Sequence, residues 1–271
     1  MAETLFDLFW RPYLAGLAMA ILLPLLGLYL RLRDEGLAAL AYGQVGAAGA
    51  LLALMLGLPG AAGGVAASLG VALGKGRLES WLGPGALFPL LLLLGWGGSV
   101  LLTANLPVAE RLGQALFEGQ LYFVGTGLLG LSLLMLLLGV VFLRHQSRYL
   151  LLLHLHPASE AVRGGPGLRA RLGFDLVAAA GTAVAVMSLG VMGTFALAFV
   201  TPWLAFVAGR SWRRALVWAV LPALLAYSLA FAAALYLDQP PGPLLVVSLV
   251  LVGLIARGAV TGAGHAITKA L

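Results

Sequence analysis

The sequence predicts an all-α fold, a polytopic bundle of membrane-spanning helices, and three observations point to it. The chain of 271 residues is 62% hydrophobic and only 10% charged, and its mean hydropathy is +1.03. A soluble fold of this size could not bury so much apolar surface. Successive apolar runs are long enough to cross a bilayer, and basic residues are concentrated in alternate connections between them. We therefore expect one transmembrane domain, residues 1–271.

The apolar runs divide into about nine predicted spans. A helix needs about 20 residues to cross the hydrocarbon core. The run over 174–208 is too long for one span, so we divide it at Gly190 and Gly193, while the run over 60–74 is short and rich in glycine and alanine. The predicted spans are 13–30, 36–58, 60–74, 86–106, 121–143, 174–190, 193–208, 215–237 and 244–256.

The orientation follows from the basic residues. If the spans alternate across a bilayer, two of the 16 lysines and arginines, Arg11 and Arg111, lie on one side and fourteen on the other. Connections rich in lysine and arginine stay in the cytoplasm, so we expect the N-terminus outside and the C-terminus inside. Eight spans would move Lys75 and Arg77, or the cluster 210–214, to the outside, which argues for nine. The fourteen are Arg31, Arg33, Lys75, Arg77, Arg144, Arg148, Arg163, Arg169, Arg171, Arg210, Arg213, Arg214, Arg257 and Lys269.

Several functions are excluded by composition and motifs. The net charge of +6 belongs to the cytoplasmic rim and suits contact with lipid headgroups, not nucleic acid. There is no cysteine, hence no disulfide or thiolate metal site. The fragment nearest to a phosphate-binding loop, 70–76, has Gly76 where a serine or threonine is required. His154 and His156 lack a carboxylate at matching spacing. We therefore predict no catalytic residue, no cofactor and no metal site.

Four motifs resemble those of the zinc/manganese-type ABC-importer permeases, in the order of that family. Residues 238–243 match the pattern Asp-x-Pro-x-Gly-Pro, and 116–121 is similar to Leu-Phe-Gly-Asp-Leu-Leu. Residues 156–161 resemble the loop Asp-Pro-Glu-x-Ala, and 193–205 resembles Val-Gly-x-Leu…Pro-Ala-Ala-x-Ala. The resemblance implies a homodimeric, multi-pass permease of the bacterial inner (cytoplasmic) membrane that forms the translocation pathway. It also implies a separate ATP-binding cassette ATPase subunit and a periplasmic or extracellular solute-binding protein as partners.

One segment is predicted to couple the permease to the ATPase. Pro202 is placed at the end of a span and is followed by small residues such as Ala205 and then by Arg210, Arg213 and Arg214. This order describes a helix that leaves the membrane and turns along its cytoplasmic face. The resemblance implies a coupling helix that sits in a groove on the ATPase and transmits rigid-body motion. The alternative is an amphipathic interfacial segment whose arginines bind lipid.

The second span departs from the family pattern. In the family it carries an acidic residue and, four positions later, a histidine, which here fall on Ala39 and Gly43. A dehydrated divalent ion needs carboxylate or imidazole ligands, whereas Tyr42 and Gln44 suit a neutral or chelated substrate better. The predicted pathway residues are Tyr42, Gln44, Ser99, Thr103, Asn105 and Gln120, although each could instead form a helix–helix hydrogen bond.

The expected function is translocation of a metal ion or metal-containing solute by the permease subunit of an ABC importer. Two alternatives stay open. The chain could carry a metal chelate or another small organic solute, or it could be a non-transporting membrane anchor of an ATPase complex. Polar groups at the depth of the pathway favour transport over anchoring.

Overall fold

The computed structural model describes residues 2–83, 85–105, 124–155, 167–209 and 211–270, together with Leu116, Gly119 and Leu121. Within these ranges the chain forms eight α-helices and no strand, as the all-α prediction required. The helices are α1 (Ala2–Leu32), α2 (Ala38–Met55), α3 (Gly60–Leu82), α4 (Leu87–Ala104), α5 (Thr126–Leu155), α6 (Gly167–Ala208), α7 (Trp212–Leu237) and α8 (Pro241–Ala270).

Seven of the eight described helices are long and apolar enough to cross a membrane, and α3 is the exception. Its first half is rich in glycine and alanine, which lets its backbone approach α2 closely. A Cβ atom at Gly63 would lie 2.5 Å from the Gly49 carbonyl oxygen, and one at Gly64 would lie 2.9 Å from the Gly46 carbonyl oxygen. The low hydropathy of α3 therefore goes with tight packing against another helix of the bundle.

The longest helix, α6, is broken at Gly190. Its backbone there has φ 74° and ψ 168°, a region that is essentially restricted to glycine. The break divides α6 into stretches over 167–189 and 191–208, so the division predicted at Gly190 coincides with it, whereas Gly193 is helical. Each stretch is close to the length that a single span requires.

The long helix α6 is also the centre of the bundle. It packs against α1, α2, α3, α5, α7 and α8. Its buried side chains are mostly small, including Ala178, Ala179, Ala183 and Ala185, and small side chains allow several helices to approach one axis. By contrast, α4 and α5 expose leucines on their outer faces, as expected of helices that face lipid.

Candidate functional site

A buried cluster of four charged residues joins the connection α1–α2 to α3 and α6. Lys75 of α3 donates hydrogen bonds to Glu35 Oε1 at 2.7 Å and to Asp175 Oδ1 at 3.2 Å. Arg33 lies 3.0 Å from Glu35 Oε1 through Nη2 and 2.9 Å from Asp175 Oδ1 through Nη1. Lys75 and Asp175 are each only 5% exposed. The two cations and two carboxylates balance, which is what allows these charges to be buried.

The tight turn between α1 and α2 places two members of the cluster. The amide of Glu35 donates to the Leu30 carbonyl at 2.9 Å, and the Glu35 carbonyl accepts from the amide of Ala38 at 2.9 Å. Asp34, which lies between Arg33 and Glu35, has φ 57°, a left-handed conformation that aspartate tolerates better than most residues. The reversal brings Arg33 and Glu35 to the same side, facing α3 and α6.

Burial affects the pKa values of Arg33 and Glu35 in this connection. It raises the pKa of Glu35, and the neighbouring cations Arg33 and Lys75 only partly oppose that rise. For Arg33, burial acts to lower the pKa, but the carboxylates of Glu35 and Asp175 outweigh it and the pKa is raised. Arg33 therefore stays charged, and Glu35 takes up a proton more readily than an exposed glutamate.

A cavity of about 620 Å³ adjoins the cluster, which forms one of its walls. Its lining also includes Arg77, His154 and Arg171, from α3, α5 and α6. The sequence predicted Arg77 and Arg171 on one side of the membrane, and the structure brings them to one cavity.

Three of the predicted pathway residues are buried inside the chain, on α2 and α4. Tyr42 packs edge-on against Phe88 with ring centroids 5.8 Å apart, and Ser99 Oγ donates to the Gly95 carbonyl at 2.8 Å. Gln44 is 2% exposed. The Tyr42 hydroxyl and Gln44 Oε1 have no hydrogen-bond partner among the described residues, and an unpaired buried polar group carries a free-energy cost. The Tyr42 hydroxyl can therefore donate or accept a further hydrogen bond, and Gln44 Oε1 can accept one.

The other predicted pathway residues lie at the end of α4 or beyond it. Thr103 Oγ1 donates to the Val100 carbonyl at 2.9 Å, and Asn105 Nδ2 donates to the Leu101 carbonyl at 2.7 Å. Both side chains satisfy the carbonyls of their own helix end. Gln120 lies outside the described residues. Tyr42, Gln44 and Ser99 are thus buried, whereas Thr103 is half-buried and Asn105 is exposed, and the pathway role of all of them stays a prediction.

The predicted coupling segment differs from its expected geometry. Pro202 does not end a helix, because α6 continues through it to Ala208. Proline removes the hydrogen bond to the carbonyl four residues earlier, that of Ala198. This carbonyl faces Gly27 of α1, where the absence of a side chain leaves room for it. Ala205 is buried.

The arginines of the segment lie at the start of the next helix. Ser211 caps α7, its hydroxyl accepting from the amide of Arg214 at 3.4 Å, and α7 begins at Trp212. Arg213 and Arg214 are exposed on its first turn, whereas Arg210 lies outside the described residues. The described part of the segment is thus a short connection between α6 and α7, and the exposed arginines remain available to a partner.

Among the described residues, no group of three or more histidine, aspartate or glutamate side chains could hold a metal ion. The positions of the family's acidic residue and histidine, Ala39 and Gly43, are both buried on α2. The second helix therefore presents neutral groups.

Sequence reasoning missed the charged cluster as a unit. It used Arg33 and Lys75 only as topological markers and gave Asp175 no role. The available signal was a lysine within a glycine-rich helix and an aspartate within an apolar run, since each needs a partner when buried. The pairing itself depends on how α3 and α6 pack, which a single sequence does not reveal.

Comparison with known proteins gives a family and two structural neighbours. The model of the ABC 3 transport family matches residues 5–258. The PsaBC complex from Streptococcus pneumoniae bound to a Fab contains a chain similar in fold, with TM-score 0.80, 13% identity, and coverage of 94% of this chain and 95% of that one. The inward-facing structure of an ABC transporter assigned to the metal-chelate type is also similar, with TM-score 0.69, 17% identity, and coverage of 94% and 85%. No curated protein matches. With seven helices in its described part that are apolar enough to cross a membrane, the chain belongs to the ABC 3 transport family as a multi-pass membrane permease.

Proposed function

We propose that the chain is the permease subunit of an ABC importer and that two copies of it form the pathway for a metal ion or a metal-containing solute. The observation that carries this proposal is the family match over 5–258, joined to a fold shared with a chain of an ABC transporter over 94% of this one. The energy comes from ATP hydrolysis on a separate ATPase subunit. A solute-binding protein delivers the substrate from outside.

The membrane topology that we propose has nine spans. Seven helices satisfy length and hydropathy, the break at Gly190 makes α6 two spans, and α3 packs within the bundle against α2 and α6. Adding α3 and the second half of α6 to these seven helices gives nine spans. The end of the bundle that holds Arg33, Lys75 and Arg171 is cytoplasmic by the positive-inside rule, so the N-terminus lies outside.

A metal chelate is the second candidate substrate, and one feature of α2 favours it over a bare ion. Where the resembling permeases carry an acidic residue and a histidine, this helix has Ala39 and Gly43, with the neutral Tyr42 and Gln44 beside them. A bare Zn²⁺ or Mn²⁺ ion needs nitrogen or carboxylate oxygen ligands to replace its water. A chelate keeps its own ligands, so a hydrogen bond from Tyr42 or Gln44 suffices. Similarity in fold to an ABC transporter of the metal-chelate type also supports a chelate as the substrate.

Reconstitution in proteoliposomes tests the function. The permease, its ATPase and its solute-binding protein would be combined, and accumulation of Mn²⁺, Zn²⁺ and iron–chelate complexes would be followed by elemental analysis with and without ATP. We expect ATP-dependent uptake that requires the binding protein, with the chelate preferred over the bare ions. Uptake of bare ions alone would exclude the chelate. An assembled complex that hydrolyses ATP but moves none of these solutes would favour the membrane anchor.

Gln44→Ala gives a second measurement on the substrate. One neutral hydrogen bond within the membrane contributes only about 0.6–2 kcal/mol, so we expect a moderate, several-fold loss of uptake. Complete loss of uptake at unchanged protein stability would indicate that Gln44 ligates the metal directly. Ser99→Ala is the matched control, because the Ser99 hydroxyl already bonds within its own helix, and uptake should remain close to that of the unmodified chain.

A further inference from the structure

We propose that a second cavity, of about 520 Å³ at the basic end of the bundle, is a binding site for a metal chelate whose organic ligand carries an aromatic ring and a carboxylate. The inference rests on the proposed function, because the carried solute would reach this site on its way to the cytoplasm. It adds the residues that hold the solute at that end and the chemistry of the ligand that they select.

An apolar stripe leads along α6 to the cavity. Met192, Phe199 and Phe206 follow one another at intervals of seven residues, so they share one face of the helix, and all three are exposed, by 39–52%. The ring of Phe195 lies on the same face and stacks on that of Phe199, with the centroids 5.3 Å apart. Since α6 packs against six of the other described helices, an exposed face on it borders a groove within the bundle.

The cavity has the size and lining of a small-molecule site. Phe199, Phe206 and Pro202 belong to its apolar part, and Gly36 contributes no side chain; a Cβ atom there would lie 3.9 Å from the Phe199 ring. Sites for small molecules typically measure about 300–1,000 Å³ and combine apolar and aromatic walls with a few polar groups. Aromatic rings favour stacked or edge-on contact with another ring, so this wall selects an aromatic ligand.

The charged residues of the lining favour an organic chelate over a free ion. Arg31 has its guanidinium 5.5 Å from the centre of the Phe206 ring and no carboxylate partner within the described part of the chain. Its charge is therefore available to a carboxylate of the ligand. Asp34 offsets that charge, and His154 is the one other titratable side chain among the described residues of the lining. A lining with so little net charge attracts neither a bare divalent cation nor inorganic phosphate strongly.

Contacts with α2 place the stripe beside the predicted pathway. Gly36, just before α2, faces Phe199, and a Cβ atom at Gly43 would lie 3.9 Å from Val191 at the start of the stripe. The second stretch of α6 and α2 therefore run side by side from the break in α6 to the cavity. A solute that moves along α2 towards the cytoplasm thus meets the stripe and then the cavity.

Equilibrium dialysis tests the site on the permease assembled with its ATPase in lipid nanodiscs, with empty nanodiscs as background. The probes are ferric pyochelin, whose ligand has a phenol ring and a carboxylate, ferrioxamine B, whose ligand is aliphatic, and free Zn²⁺. We expect ferric pyochelin to bind about tenfold more tightly than the other two probes. Phe206→Ala should weaken its binding about fivefold through the lost ring contact, whereas Phe206→Trp, which keeps an aromatic face, should retain most of it.

Gly36→Leu is the sharper variant, because it fills the cavity at a position whose backbone does not require glycine. We expect a loss of ferric pyochelin affinity of about tenfold or more. Gly70→Leu is the matched control, since nothing lies within 4 Å of a Cβ atom at Gly70 and this residue does not line the cavity; binding should be unchanged. Unchanged binding in Gly36→Leu at a normal unfolding temperature would overturn the site, and equal binding of ferrioxamine B would overturn the class of ligand.

Uptake in proteoliposomes separates this site from the proposed function. Uptake of ferric pyochelin at the normal rate by Gly36→Leu would overturn the site and leave the proposed function standing. Binding by the unmodified chain without uptake of any solute would count against the proposed function alone. Binding that appears only when the ATPase is removed would show that a protein contact covers the cavity in the complex, and would overturn it as a solute site.

Discussion

At the residue scale, the position of Lys75 raises the question of what a buried charge does for this protein. Its ammonium group lies 2.7 Å from Glu35 and 3.2 Å from Asp175, and 5.3 Å from the centre of the Phe88 ring. Burying ions removes their hydration, and the attraction between partners often does no more than repay this loss. We therefore expect the cluster to determine how α3 packs against α6 more than it adds to the net stability of the fold.

This view makes a prediction about Asp175. Asp175→Leu leaves Arg33 with Glu35, and Lys75 with Glu35 and the more distant, half-exposed Glu79 at 4.0 Å, so we expect a loss of about 3–5 kcal/mol in the free energy of unfolding, as for other broken buried pairs. The double variant Lys75→Met/Asp175→Leu removes both charges and should recover most of that loss. Thermal unfolding of the purified permease measures both. A single variant as stable as the unmodified chain would show that the carboxylate is dispensable.

Single residues also show how far the sequence could predict the site. Hydropathy identified Tyr42, Gln44 and Ser99 as polar groups inside spans, and they are indeed buried. Hydropathy could not show that the Ser99 hydroxyl donates a hydrogen bond within its own helix. Nor could it show that the Tyr42 hydroxyl and Gln44 Oε1 have no hydrogen-bond partner among the described residues. That difference arises from side-chain geometry at the contact of α2 with α4, and it has no trace in composition or spacing.

At the element scale, the break in α6 is the feature that the sequence specified best. A continuous run over 174–208 exceeds what one span needs, so a turn had to interrupt it. Glycine supplies the conformation, and Gly190 rather than Gly193 has the positive φ. In α3 the sequence was less informative. The predicted span ended at residue 74, whereas the helix continues to Leu82 and includes Lys75, which is paired with Glu35 and Asp175.

Substitution at the break gives the second prediction. Gly190→Ala places a side chain on a backbone with φ 74° and ψ 168°, a conformation that costs non-glycine residues about 1–3 kcal/mol. We expect a lower unfolding temperature or a straightened α6. Gly193→Ala is the control, since its Cβ would meet Leu189 and Leu245 at an ordinary 3.5 Å. Equal unfolding temperatures for the two variants would mean that the backbone at 190 accommodates alanine without strain.

At the scale of the whole molecule, basic residues that the sequence assigned to one side of the membrane lie at one end of the bundle. The structure gathers Arg33, Lys75, Arg77 and Arg171 around one cavity, and these residues come from connections that the sequence assigned to the same side. The opposite end has the turn between α7 and α8 at Asp238, whose φ of 51° reverses the chain. Sequence alone could assign sides because the rule depends only on basic residues near span ends.

Cysteine labelling tests this topology directly, since the chain contains no cysteine. A cysteine at Gln239 should react with a membrane-impermeant thiol reagent in intact cells, because this exposed residue lies at the turn between α7 and α8, which we propose to be outside. The same outcome is expected at Leu106, which lies outside the described residues. Cysteines at Ser147 and Ser211 should react only after the membrane is permeabilised. Labelling of Ser211 from outside would contradict the nine-span arrangement.

The coupling of permease to ATPase is the remaining prediction at this scale. Arg213 and Arg214 are exposed on the first turn of α7, and reversing them with glutamate should repel a complementary face of the ATPase. The fold should tolerate the change, because negative side chains are favourable at a helix N-terminus. We therefore expect Arg213→Glu/Arg214→Glu to unfold at the normal temperature but to lose ATPase co-purification or substrate-stimulated hydrolysis.

Arg144→Glu, an exposed reversal on α5 on the same predicted side, serves as control and should keep both. Wild-type co-purification and wild-type stimulated hydrolysis in the double variant would remove this surface from the coupling interface, leaving its arginines the role of binding lipid headgroups.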